Sequence, residues 1–120
     1  ITSTLPPQLD TCFFVSSGSE ANDLAWRLSK IWTGQTGGLV IENAYHGVTD
    51  AVYDLSPAEA LDASTLKSHI EEINAPDDYR GPWKRDDPER GLHYAAYAAE
   101  AIDRLIQKGH SPAAFFMDMT

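Results

Sequence analysis

Apolar residues fall into two kinds of pattern along this chain. Short unbroken runs predict buried strands: Thr11-Cys12-Phe13-Phe14-Val15 over about 12–16, then Gly38-Leu39-Val40-Ile41-Glu42, then Ala113-Ala114-Phe115-Phe116-Met117-Asp118. Two longer stretches carry helical spacing instead. Ala21, Leu24, Ala25, Leu28 and Ile31/Trp32 predict a helix over about 19–33, stopped by Gly34. Leu92, Ala95, Ala99, Ile102 and Ile106 predict a second, closed by Lys108-Gly109. Trp26 lies off the first apolar stripe, which predicts packing against a second layer or a partner chain.

Weaker signals fill the gaps. Val48 to Leu55 predicts a short helix, and Ser56-Pro57-Ala58-Glu59 is a helix-start signature for a weak helical segment within 57–72. Glu72-Ile73-Asn74 predicts a short strand. Residues 1–10, with Pro6-Pro7, read as an irregular lead-in, and 75–90, rich in Pro, Gly, Asp and Arg, as a long surface loop. Strand, helix, strand with short connections predicts a parallel pair joined by a right-handed crossover. The sum is a single α/β domain over 1–120, a three-layer sandwich with a mostly parallel sheet and helices on both faces.

Composition narrows the partners. Nine Lys+Arg against 18 Asp+Glu give a net charge of −9, which argues against nucleic acid and anionic membranes. No apolar run reaches the roughly 20 residues of a membrane span. The single cysteine, Cys12, falls in a predicted buried strand, which suits core filler in a reducing, cytoplasmic compartment. His69, His93 and His110 are scattered without metal-ligand spacing, so no metal is assigned. The chain starts at Ile1 and stops at Thr120 just after an apolar run, and so reads as a piece of a longer protein.

Candidate chemistry concentrates at Ser16-Ser17-Gly18-Ser19-Glu20-Ala21-Asn22, where the first predicted strand turns into the first helix. The opening amides of a helix have no internal partner and carry a partial positive charge. With small residues at the corner, they form a cup suited to a phosphate. The same letters also fit a capping box, Ser17 followed three residues later by Glu20, and such boxes begin many helices that bind nothing.

The phrase Phe14-Val15-Ser16-Ser17-Gly18-Ser19-Glu20-Ala21-Asn22-Asp23 resembles the cofactor-phosphate loop of class III aminotransferases, pyridoxal-phosphate enzymes of fold type I. A second family phrase, Asn43-Ala44-Tyr45-His46-Gly47, follows at the expected distance. The resemblance implies a cofactor-binding set of Ser17, Gly18 and Ser19 at the phosphate and Tyr45 stacked on the pyridine ring. His46 stands beside them as a base or as support for the loop. It returns at Asn74-Ala75-Pro76-Asp77-Asp78-Tyr79-Arg80-Gly81, closest to the branch of alanine–glyoxylate aminotransferase-like proteins and ethanolamine-phosphate phospho-lyases. The implied fold is part of the large domain of these enzymes, and the implied assembly is a homodimer.

That resemblance also marks what the chain lacks. The family's pyridine-binding Asp and its cofactor-holding lysine lie further along, and Lys30, Lys67, Lys84 and Lys108 do not sit in that context. Asp118-Met119 stands where the family usually has Glu-Pro, so the role of Asp118 stays open. No catalytic residue is therefore assigned, and the isolated chain is expected to show no turnover. Three readings follow. One is a cofactor-domain piece of an aminotransferase acting between an amine or amino acid and a keto acid. Another is a phospho-lyase for a phosphorylated amine, which needs cations such as Arg80, Lys84 and Arg85 near the site. The last is a non-enzymatic α/β domain.

Overall fold

A computed structural model describes residues 1–59 and 67–118. Its regular elements are α1 (Gly18–Thr33), β1 (Gly37–Ile41), α2 (Asp50–Tyr53), β2 (Ile70–Ile73), α3 (Arg90–Gln107) and β3 (Pro112–Phe116). The three strands form one parallel sheet in the order β2-β1-β3. β1 is central: Gly38 pairs with Ile70 on one side and with Ala114 on the other.

Alternation along β1 splits the core in two, because neighbouring strand residues face opposite sides. Val40 joins Trp26, Leu55 and Ile70 on the α1 face. Leu39 joins Ile73, Ala101 and Leu105 on the α3 face. Helices thus cover both faces, and the three-layer α/β arrangement expected from the pattern is the one observed.

The first predicted strand does not form. Thr11–Val15 has no regular structure and pairs with no described strand, and Phe14 is 80% exposed. Apolar letters give a segment strand propensity; only a neighbouring backbone makes it a strand. The expected crossover from 12–16 to β1 is therefore absent, and Cys12 is half-buried outside the sheet.

Both helix faces also differ from the pattern. On α1, Leu28, Ile31 and Trp32 are exposed, Trp32 to 91%, whereas Trp26 is 2% exposed at the heart of the core. The partly or fully buried residues are instead Ser19, Asn22, Asp23, Leu24, Trp26, Ser29 and Lys30, polar at every position but two, and of the predicted stripe only Leu24 is among them. Lys30 lays its ammonium 4.8 Å from the Trp26 ring. On α3 the inward residues are Tyr94, Tyr97, Ala98, Ala101, Ile102 and Leu105, while Leu92, Ala95, Ala99 and Ile106 face out. Of the predicted stripe only Ile102 packs.

Remaining differences are smaller. Pro57–Glu59 forms a single 3-10 turn, and the rest of the helix expected within 57–72 falls partly on 60–66, outside the described residues. β2 begins at Ile70, two residues before the predicted strand. The 75–90 segment is a loop as expected, pinned to α3 by Tyr94, whose hydroxyl donates to the Asp77 carbonyl at 2.6 Å, and by Trp83 stacked on His93.

Candidate functional site

The corner before α1 is a built helix start. Ser17 Oγ accepts from the Glu20 amide at 3.2 Å, and Glu20 Oε2 accepts from the Ser16 amide at 2.6 Å. The capping-box reading is thus satisfied, and it uses one of the helix's opening amides. Those of Gly18 and Ser19 have no intrahelical acceptor. Around Gly18 the space is open: a β-carbon there would meet nothing within 4 Å.

Segment 42–49 leaves β1 and is drawn onto this corner by three hydrogen bonds. Val48 N donates to Ser19 Oγ at 3.2 Å, Asn22 Nδ2 to the His46 carbonyl at 2.8 Å, and Thr49 Oγ1 to Asp23 Oδ2 at 2.6 Å. Gly47, at φ +139°, presses against Ser19. Ser19 accepts through its oxygen and keeps its hydroxyl proton to donate elsewhere. Residues 46–49, which follow Tyr45, are thus tied to the first turns of α1, while the cleft that Tyr45 lines includes neither Gly18 nor Ser19.

His46 faces inward. Its ring is 8% exposed and lies 5.6 Å from the Phe116 ring, with no hydrogen-bond partner for Nε2. Burial pushes its pKa below the ordinary value, partly opposed by the carboxylate of Asp118. Its amide donates to Ser56 Oγ at 2.9 Å, and Ser56 donates in turn to the Val52 carbonyl. Tyr45, next along, is 51% exposed.

Beside Tyr45 opens a cleft of about 590 Å³ at the carboxyl ends of β1 and β3, bounded by Glu42, Asn43, Asp77 and Asp118. Ligands in open parallel sheets sit at that rim. Two of its carboxylates serve the loop: Glu42 accepts from Asn74 Nδ2 and the Ala75 amide, and Asp77 from the amides of Tyr79 and Arg80. The basic residues proposed for a substrate phosphate do not line it. Lys84 donates to the Tyr79 carbonyl, and Arg85 pairs with Asp78 at 3.2 Å. Pattern reading missed Asn22, Asp23, Thr49 and Ser56, which hold this corner together; Asn22 and Asp23 lie within the motif itself.

The residues present fit part of pyridoxal phosphate. Open amides and a free hydroxyl proton suit its phosphate, and an exposed aromatic suits its ring. No lysine lines the cleft. Among the described residues no group of three or more His, Cys, Asp or Glu could hold a metal ion.

No family model matches the chain. Over 98% of its length it is 33% identical to a Drosophila melanogaster protein named alanine–glyoxylate aminotransferase 2-like, covering 25% of that relative. It is 42% identical over 82% of its length to ethanolamine-phosphate phospho-lyase homolog 1 of Caenorhabditis elegans, covering 21% of it. The fold matches an Arthrobacter phospholyase in complex with phosphoethanolamine, at a TM-score of 0.81 and 31% identity, over 97% of this chain and 27% of that one. An amine transaminase from an uncultivated Pseudomonas species, in its PLP-bound form, matches at 0.68 and 25% identity over 86% and 25% of the two chains. The chain thus spans about a quarter of the length of the relatives it matches.

Proposed function

The chain is kin to class III pyridoxal-phosphate enzymes, aminotransferases and phospho-lyases among them, and from that premise we propose that it carries the phosphate-holding and ring-holding half of such a cofactor site. The observation that supports this is the strapping of the Tyr45 loop onto the first turns of α1. It ties together two segments that the sequence keeps apart.

Each residue then has a task. The amides of Gly18 and Ser19 hold the phosphate, through charge-assisted hydrogen bonds worth about 1.5–3 kcal/mol each. Ser17 fixes the helix start that aims them, and its hydroxyl borders the same cup. Tyr45 covers one face of the ring, adding roughly 0.5–1.5 kcal/mol. His46 anchors the loop from inside. Bound there, the cofactor supplies an electron sink for bond breaking at the amine-bearing carbon. The lysine that would hold it covalently is not provided here. Lys30, Lys84 and Lys108 are committed to Trp26, the Tyr79 carbonyl and Glu71.

For the whole protein we propose amino transfer between an amine or amino acid and a keto acid, by a cytoplasmic homodimer. The likeness to a relative named alanine–glyoxylate aminotransferase 2-like and to an amine transaminase in its PLP-bound form supports this reading. The exposed stripe Leu28, Ile31 and Trp32 offers apolar surface for assembly. Among the described residues no helix is long and apolar enough to cross a membrane. The phospho-lyase reading stays as the second, because the likeness to the phosphoethanolamine-bound structure is in fold and sequence alike.

The test is a titration of the full-length protein with pyridoxal phosphate, followed by absorbance. Binding that weakens at least about tenfold in Ser19→Ala supports the assignment. A full-length protein that leaves the cofactor spectrum unchanged ends it. Given a phosphorylated amine, release of inorganic phosphate without amino transfer would move the assignment to the lyase.

A further inference from the structure

Asn22 touches neither the open corner nor Tyr45 in any bond observed, yet it links them. Its amide group donates to the carbonyl of His46, the residue after Tyr45, at 2.8 Å, in a part-buried position. The loop it grips has no regular structure of its own between Glu42 and Thr49, and Asn43 takes a left-handed backbone there, at φ 60°. The last bond to the sheet is from Glu42 N to the Ile73 carbonyl, at 2.8 Å. Ala58 N and Ser56 hold the loop from its far side, at the Ala44 carbonyl, the His46 amide and the Gly47 carbonyl, while the bonds that tie it to α1 are side-chain straps, with Thr49 Oγ1 to Asp23 Oδ2 and Val48 N to Ser19 Oγ beside that of Asn22.

Resting on the cofactor reading above, we propose that Asn22, seconded by the Asp23–Thr49 pair, is a positioning residue that sets the distance between the phosphate corner and the ring-covering Tyr45. A rigid ligand that reaches both groups requires that distance to be right. A ligand that reaches only the corner does not. Removing the strap therefore penalises the whole cofactor and spares its phosphate end. Held geometry of this kind gives affinity by lowering the ordering cost at binding. Ser19 also straps the loop, but it belongs to the corner, so its substitution cannot separate the two effects.

The discriminating measurement compares two ligands on the full-length protein. Asn22→Leu keeps size and charge while removing the donor; Thr49→Val does the same at the second strap. Pyridoxal phosphate affinity is read from the absorbance titration, inorganic phosphate affinity from competition, and apo-protein stability from its thermal midpoint. The expected result for Asn22→Leu is about a tenfold loss for the cofactor with less than about a twofold change for phosphate. Thr49→Val should follow the same split with a smaller loss. Equal losses for both ligands, or unchanged cofactor affinity, overturn the proposal. Should Asn22→Leu fail to fold, the split in Thr49→Val decides. If the unaltered protein binds neither ligand, the cofactor reading itself fails and this inference goes with it.

Discussion

A β-carbon placed on Gly47 would lie 2.6 Å from Ser19 Oγ and 2.8 Å from Ser19 Cα. No side chain fits between this loop and the helix start, so the loop's backbone rests directly on Ser19 in the first turn of α1. The glycine also sits at φ +139°, where other residues are strained. Close approach and backbone conformation thus demand the same residue for separate reasons.

Gly47→Ala is accordingly expected to destabilise the fold by roughly 2–4 kcal/mol, from backbone strain and forced separation together. Urea denaturation of the two proteins checks this. A shift under about 0.5 kcal/mol would mean that the loop moves aside freely, and the strapped geometry would lose its importance.

Ser56 is the loop's inner anchor. It is buried, takes the His46 amide and returns a bond to the Val52 carbonyl. In Ser56→Ala the His46 N–H is left unpaired in the interior, at a cost of about 1–3 kcal/mol. Ser29→Ala, whose hydroxyl only back-bonds to Ala25 on its own helix, should stay within about 0.5 kcal/mol. Denaturation midpoints of both variants give the comparison.

The layered architecture was legible because β1 is buried on both faces and reads as an unbroken apolar run, Leu39-Val40-Ile41. The same logic misled at Phe13 and Phe14, since burial of a strand depends on a neighbour that letters do not reveal. α1 misled for a different reason. Its inward face carries Ser19, Asn22 and Asp23 ahead of Trp26, so polar residues that bind the loop occupy positions where periodicity looks for apolar ones. The candidate site was legible in part: Gly18, Ser19 and Tyr45 stand out as motif residues. Their straps did not, because a hydrogen bond from Asn22 to a backbone carbonyl 24 residues away leaves no trace in spacing.

Acid should weaken the fold through histidine. His46 is held below its ordinary pKa by burial, with Asp118 partly opposing. His69 is lowered by burial first, with Asp54 opposing and His110, Lys30 and Lys67 adding to the shift. The unfolded chain then binds more protons than the native one between the lowered values and about pH 6.5, so stability rises with pH across that window. The contribution is present above about pH 6.5 and is lost progressively below it. Denaturation at pH 7.5 and pH 5.5 should show the drop, and His46→Leu should make it smaller. An unchanged drop in that variant would remove His46 from the account.

Glu71 gives a second acid limb at lower pH. It is buried on β2, and its two oxygens receive Arg104 Nε of α3, at 2.7 Å, and Nζ of Lys108, which caps the C-terminal end of that helix. Burial alone would raise its pKa, but the hydrogen bonds from Lys108 and Arg104 outweigh it and hold the carboxyl below its ordinary value. A depressed native pKa means that the charged form contributes stability above the unfolded value, near pH 4.3, and that this is lost as pH falls through the native one. The two cations are half-exposed and can turn to water, so Glu71→Gln leaves no stranded charge inside. Its cost near neutral pH is therefore expected at roughly 1–3 kcal/mol, less than for breaking a fully buried pair. Because Gln cannot titrate, the gap between variant and parent should narrow as pH falls below about 4. Paired urea curves at pH 7 and pH 3 measure it. A gap that stays constant would assign the loss to packing between β2 and α3 rather than to the ion pairs.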